Sequence, residues 1–190
     1  MSRVVPLNEE IRIPRDRIPV LIGKNGEAKK RLEELGKSRI TVNSVTGDVY
    51  IQGMEDAILT RTTFEAVKAI GRGFSFEKSL DLFTPGMQLA VISLREFAKP
   101  KSHRLHEMKA RLIGKNGRTR EIMEELTETH ICVYGDTVSV IGDLVPIQYA
   151  IHGIEMIVNG KKHRTVYQFL EKSTREIKTK RLEQSFDGVP

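Results

Sequence analysis

The chain has 190 residues, enough for one domain or two small ones, and its 39% apolar content is sufficient to build a core. Its formal charge of +6 suits a polyanionic partner such as nucleic acid. A single cysteine, Cys132, excludes an internal disulfide, and neither a leader-like N-terminus nor a run of ~20 apolar residues is present, so a cytoplasmic protein without a membrane span is expected.

Residues 12–13 read as a short strand closed by Pro14. Residues 18–22 read as a short helix, with Pro19 tolerated because it falls in the first turn. Residues 27–35 are helix formers that set Ala28, Leu32 and Leu35 on one face, and Gly36 is the expected C-terminal cap. Residues 39–42 and 48–52 alternate and are β-branched, as strands are. An amphipathic helix over 55–70 is stopped by Gly71 and Gly73. Thr84-Pro85-Gly86 then marks a boundary.

Beyond it, 87–97 reads as an apolar strand and 98–102 as a loop. Helices are expected over 103–113 and 117–127, strands over 131–134 and 137–141, and a third helix over 144–158. Gly160 breaks that pattern. A basic helix over 161–181 follows, carrying Lys161, Lys162, Arg164, Lys172, Arg175, Lys178, Lys180 and Arg181, with a frayed tail after it. The expected division is 1–83, 84–160 and a 161–190 helix and tail.

The two halves repeat one another. Leu21-Ile22-Gly23-Lys24-Asn25-Gly26 recurs as Leu112-Ile113-Gly114-Lys115-Asn116-Gly117, and Glu33-Glu34-Leu35 and Ile40-Thr41-Val42 recur in the same register as Glu124-Glu125-Leu126 and Ile131-Cys132-Val133. A repeat with aligned flanks implies duplication of one β-α-α-β-β-α unit. A Gly-x-x-Gly loop that opens a helix has a chemical use. Glycine lets another backbone approach, and the helix N-terminus presents a positive dipole end, a seat for phosphate. Lys24 and Lys115 add charge within the loops; Lys29, Lys30 and Arg31 follow the first, Arg118 and Arg120 the second. The loops are not Walker A loops, because no Gly-x-x-x-x-Gly-Lys-Ser/Thr is present.

Ile13-Pro14 followed by Leu21-Ile22-Gly23-Lys24-Asn25-Gly26 resembles the signature of type I KH domains. The resemblance implies an α+β fold of two type I KH domains, each a three-stranded antiparallel sheet packed on three helices, plus a C-terminal helix. It also implies a loop that clamps about four single-stranded nucleotides, with bases in an apolar groove between the first helix and second strand. The first groove would use Ile18, Leu21, Ile22, Ile40 and Val42; the second, Met108, Leu112, Ile113, Ile131 and Val133. Arg39 and His130 would lie beside the bases and Arg111 beside the second loop. The second copy lacks Ile-Pro and carries a longer first helix. The whole layout, over residues 8–180, resembles the archaeal Dim/partner-of-Nob group of ribosome-assembly factors. That resemblance implies binding to the 3′ region of small-subunit precursor rRNA.

His103 and His106 stand three apart on a helix, but no second ligand pair accompanies them and Cys132 is isolated, so no metal is expected. No nucleophile set or paired carboxylate site stands out, and neither an enzyme nor a cofactor is expected. The alternative is a scaffold that docks a nuclease or translation factor, with RNA secondary. Partners that persist in nuclease-treated extract would favour it.

Overall fold

A computed structural model describes residues 7–54 and 56–187. The chain forms two compact units that divide between Leu89 and Ala90. The first runs β1 (Asn8–Arg12), α1 (Ile18–Ile22), α2 (Glu27–Gly36), β2 (Ser38–Val42), β3 (Asp48–Gly53), α3 (Ala57–Gly71) and a short α4 (Phe76–Leu80). Then come β4 (Met87–Ser93), α5 (His103–Ile113), α6 (Arg118–Thr127), β5 (His130–Tyr134), β6 (Thr137–Asp143), α7 (Leu144–Val158) and α8 (His163–Asp187). The strands form two three-stranded sheets, ordered β1-β3-β2 and β4-β6-β5. The fold is α+β: two β-α-α-β-β-α units, each with a three-stranded antiparallel sheet packed on helices, and an added C-terminal helix.

The register is the same in both halves: Ile40 faces Ile51 as Ile131 faces Val140. Alternation buries Ile40, Val49 and Ile51 against the helices and leaves Arg39, Thr41 and Tyr50 outside. Leu21, Leu32, Val67 and Ile70 complete the first core, and Leu112, Met123, Ile154 and Ile157 hold the same places in the second. Val166 and Leu170 of α8 are fully buried in that second core.

Several element bounds differ from the sequence expectation. The first strand is Asn8–Arg12 and ends before Ile13, whose amide instead donates to Gly47 O at 2.9 Å. The strand after the boundary stops at Ser93, because the Leu94 amide turns to Asp136 O at 2.9 Å. Helix α4, capped by Ser75, was not anticipated. α8 continues past 181 to Asp187, where fraying was expected; the side chains of Lys178, Lys180 and Arg181 lie outside the described ones. Gly36 is not the left-handed cap. Lys37 takes that conformation, with φ +43°, and Gly36 is there for space, since a Cβ would stand 1.7 Å from Thr63 Oγ1.

Candidate nucleic-acid interface

The two glycine loops have nearly one conformation. Gly23 and Gly114 lie at φ/ψ of 72/−179° and 74/177°, a region essentially reserved for glycine. Asn25 and Asn116, at 53/22° and 53/30°, and Gly26 and Gly117, at 83/7° and 81/1°, are left-handed, which asparagine tolerates better than most residues. The glycines differ in role. A Cβ on Gly23 would lie 2.8 Å from the Ala28 amide nitrogen, and one on Gly114 would lie 2.7 Å from that of Thr119. The first glycine therefore seats the loop against the following helix. A Cβ on Gly26 would meet nothing within 4 Å, and one on Gly117 only the ends of Arg120 and Glu121, 3.8 Å or more away. The second glycine faces open space, where a ligand backbone can come close.

Lys24, Asn25, Lys115 and Asn116 are exposed, and neither lysine has an ion-pair partner among the described residues. α2 and α6 begin directly after the loops, so their positive ends sit beside these cations. Lys30 and Arg39 are likewise exposed and unpaired among the described residues. Lys29 stands 3.8 Å from Glu33, Arg31 3.4 Å from Glu34, Arg118 3.7 Å from Glu121, and Arg120 3.7 Å from Glu124.

The expected groove residues separate into two groups. Ile18, Leu21, Ile40, Met108, Leu112 and Ile131 are at most 4% exposed. They are core side chains that support the groove from beneath and offer no surface to a base. Ile22, Val42 and Val133 are half-buried and Ile113 is 38% exposed, so these form the accessible apolar wall. His130 is half-buried and engaged within the protein.

Arg111 is also placed differently from expectation. Its guanidinium donates to the carbonyls of Ile157 and Lys161, and its own carbonyl meets His163 Nε2 at 2.9 Å. It ties α5 to the end of α7 and is spent on structure. Arg17, which the sequence reading passed over, does the matching work in the first unit, donating to Ile70 O and Phe74 O at the end of α3. In the second unit the β5–β6 turn is clipped to α5: Asp136 accepts from Lys109 at 2.8 Å and from Arg95 at 3.1 Å. Those hydrogen bonds, Lys109 first, hold its carboxyl below the usual aspartate range.

The sequence reading also missed a carboxylate at each strand edge. β2 is an outer strand, and the bonds Asn43 N to Asp48 O and Met54 N to Lys37 O show that odd-numbered residues face β3. Ile40 and Val42 therefore turn their amides and carbonyls to the free edge. The Ile40 amide donates to Glu33 Oε1 at 2.7 Å, and the Ile131 amide donates to Glu124 Oε1 at the same distance. Glu33 also lines an open cleft of about 660 Å3 with Lys30, Arg39, Gln52 and Met54. Among the described residues no group of side chains could hold a metal ion, and no helix is long and apolar enough to cross a membrane.

The family described as KH domain matches residues 8–62, and that described as eukaryotic-type KH domain, KH-domain type I, matches residues 88–175. A KH domain-containing protein of Methanocaldococcus jannaschii is 36% identical over 178 residues, covering 92% of this chain and 78% of that protein. The crystal structure of Dim2p from Pyrococcus horikoshii is 40% identical with a TM-score of 0.82, over 87% of this chain and 99% of that one. A chain in the crystal structure of an a/eIF2alpha–aDim2p–rRNA complex from the same organism is 38% identical with a TM-score of 0.86, over 92% and 97%. A protein of unknown function from Aeropyrum pernix is 30% identical with a TM-score of 0.92, over 97% and 99%.

Proposed function

Because the chain belongs to the KH-domain family, as a two-domain RNA-binding protein of the archaeal Dim2 type, we propose that it captures single-stranded precursor rRNA of the small subunit through both glycine loops during ribosome assembly. The observation that carries this reading is the duplicated loop. Each copy joins an exposed lysine that is unpaired among the described residues, a glycine backbone open to close approach and the start of a helix. Phosphates seat on the loops and fix the register of the strand. Bases lie on Ile22 and Val42 in one groove and on Ile113 and Val133 in the other. The chain holds and presents RNA and has no catalytic step of its own; any cleavage belongs to a partner.

Phosphate contact makes binding depend on salt. Lys24, Lys30, Arg39 and Lys115 are loop and groove cations without protein partners among the described residues, so log K against log salt should fall with a slope of about −3, at about −0.7 per phosphate on a single strand. Fluorescence anisotropy with a labelled rRNA 3′-region oligonucleotide measures it. A slope near zero would contradict phosphate seating.

A second reading draws on one observation, that the aDim2p relative was crystallised with a/eIF2alpha as well as rRNA. By that likeness this chain also docks a translation initiation factor. Pull-down from nuclease-treated extract tests it, since a partner that leaves with the RNA would be bridged by RNA alone.

A further inference from the structure

A base in either apolar groove would lie beside the free edge of the outer strand, β2 or β5, where its polar edge can meet strand amides and carbonyls. In both units part of that backbone is already occupied. The Ile40 and Ile131 amides are each held by a glutamate oxygen at 2.7 Å, from the same turn of the same helix. An amide so held cannot donate to an acceptor on a base. What remains at that point of the edge is the strand carbonyl and the carboxylate, and an ionised carboxylate is acceptor-only. The next free amide, on Val42 or Val133, lies two residues along, about 6.8 Å away.

We propose that Glu33 and Glu124 are specificity-determining residues that turn each groove toward bases bearing an exocyclic amino group and against uracil. The inference rests on the RNA-binding reading above. Amino groups of cytosine, adenine or guanine donate to the carboxylate, as glutamate does in reading cytosine N4. Uracil offers one N3–H set between two carbonyl oxygens, which an acceptor-lined site repels. Surroundings in the first unit fit a nucleotide. Glu33 Oε1 has the Ile40 amide and, at 3.8 Å, the Lys29 ammonium, while Oε2 accepts no hydrogen bond among the described residues; the cleft beside it also presents Lys30 and Arg39, unpaired among the described residues, and a Met54 side chain that is 64% exposed. A base can lie on the thioether while its phosphate meets the cations. In the second unit the carboxylate is steered by Arg120, whose Nε lies 3.7 Å from Glu124 Oε2.

The test measures affinities of the full chain for oligocytidine, oligouridine and oligo-N4,N4-dimethylcytidine of equal length, beside an Glu33→Gln/Glu124→Gln variant. The wild type should hold oligocytidine about tenfold tighter than oligouridine, in line with ~1–3 kcal/mol for one good base contact. Dimethylation, which removes the donor hydrogens, should abolish that margin. The glutamine amide can donate to uracil O4, so the variant should bind the two natural oligomers equally. Equal wild-type binding of all three would overturn the inference and leave RNA binding intact. A preference that survives the substitution would overturn it too. No binding of any single-stranded RNA would instead sink the proposed function. If the variant fails to fold, the dimethylated oligomer on wild-type protein still decides.

Discussion

Replacing Lys24, Asn25, Lys115 and Asn116 together by aspartate should cut affinity for single-stranded RNA by about 100-fold or more while leaving thermal unfolding almost unmoved. Each lysine-to-aspartate change reverses a charge at phosphate distance, where a pair near the surface interacts by up to ~4 kcal/mol before salt screening. The second aspartate of each pair adds a further negative charge at the start of a helix. The fold should tolerate all four. Lys24 and Lys115 are exposed and unpaired among the described residues, and such positions rarely shift stability by more than ~0.5 kcal/mol. Asn25 and Asn116 sit at φ +53°, and aspartate enters that left-handed region much as asparagine does. Anisotropy and circular dichroism on the same preparation separate binding from folding. Changing each loop alone then shows how the two grooves share the load. Full affinity in the fourfold variant would rule out the loops as the seat.

The largest effect on stability should come from Gly114→Ala, with Gly117→Ala as its control. At Gly114 the new Cβ meets Thr119 Oγ1 at 2.2 Å and the Thr119 amide nitrogen at 2.7 Å, and the second contact is backbone that no rotamer change relieves. The φ/ψ of 74/177° is itself outside alanine's range. Strain and overpacking together should cost about 3–5 kcal/mol. In a unit of this size each kcal/mol lowers the melting temperature by ~4–8 °C, so a fall of about 12–40 °C is expected. Gly117→Ala meets no atom closer than 3.8 Å and bears only the left-handed backbone cost of ~1–2 kcal/mol. Equal losses at the two glycines would contradict the division of labour between them.

That division shows where sequence reasoning reached its end. Both glycines are equally visible as letters, and only the coordinates distinguish the one that packs from the one that faces a ligand. The helices Ile18–Ile22, His103–Ile113 and Leu144–Val158 were legible to the residue, because caps and breakers flank them. Helix α1 ends at a glycine, and α5 and α7 run from Ser102 and Asp143, whose side chains accept from the first-turn amides. β1 was misplaced because Asn8, Glu10 and Arg12 are polar and exposed, while Glu9 and Ile11 are only half-buried. An outer strand of that kind has no apolar alternation to read.

At the interface, the loops and their lysines could be found from the repeat, but the groove could not be divided into surface and core. Leu21 and Ile22 are neighbours in one apolar run, yet Leu21 is fully buried and Ile22 is not. Which of them a base can touch depends on how α1 rolls against α2 and α3. Arg111 looked like an RNA contact because it stands beside the loop. Its true partners are the Ile157 and Lys161 carbonyls, far along the chain. The Glu33–Ile40 and Glu124–Ile131 bonds were hidden for a related reason. The Glu-Glu-Leu and Ile-x-Val repeats were both seen, but nothing in either shows that the glutamate reaches the amide of a strand's free edge.

The most direct measurement is an amide NMR titration of the full chain with a short single-stranded rRNA oligonucleotide. Capture on the loops predicts that the largest shifts fall on residues 23–27 and 114–118, with smaller ones on Val42 and Val133 at the strand edges. Shifts confined to the outward sheet positions of Glu10 and Tyr50, or to the exposed side of α8, with both loops silent, would contradict it.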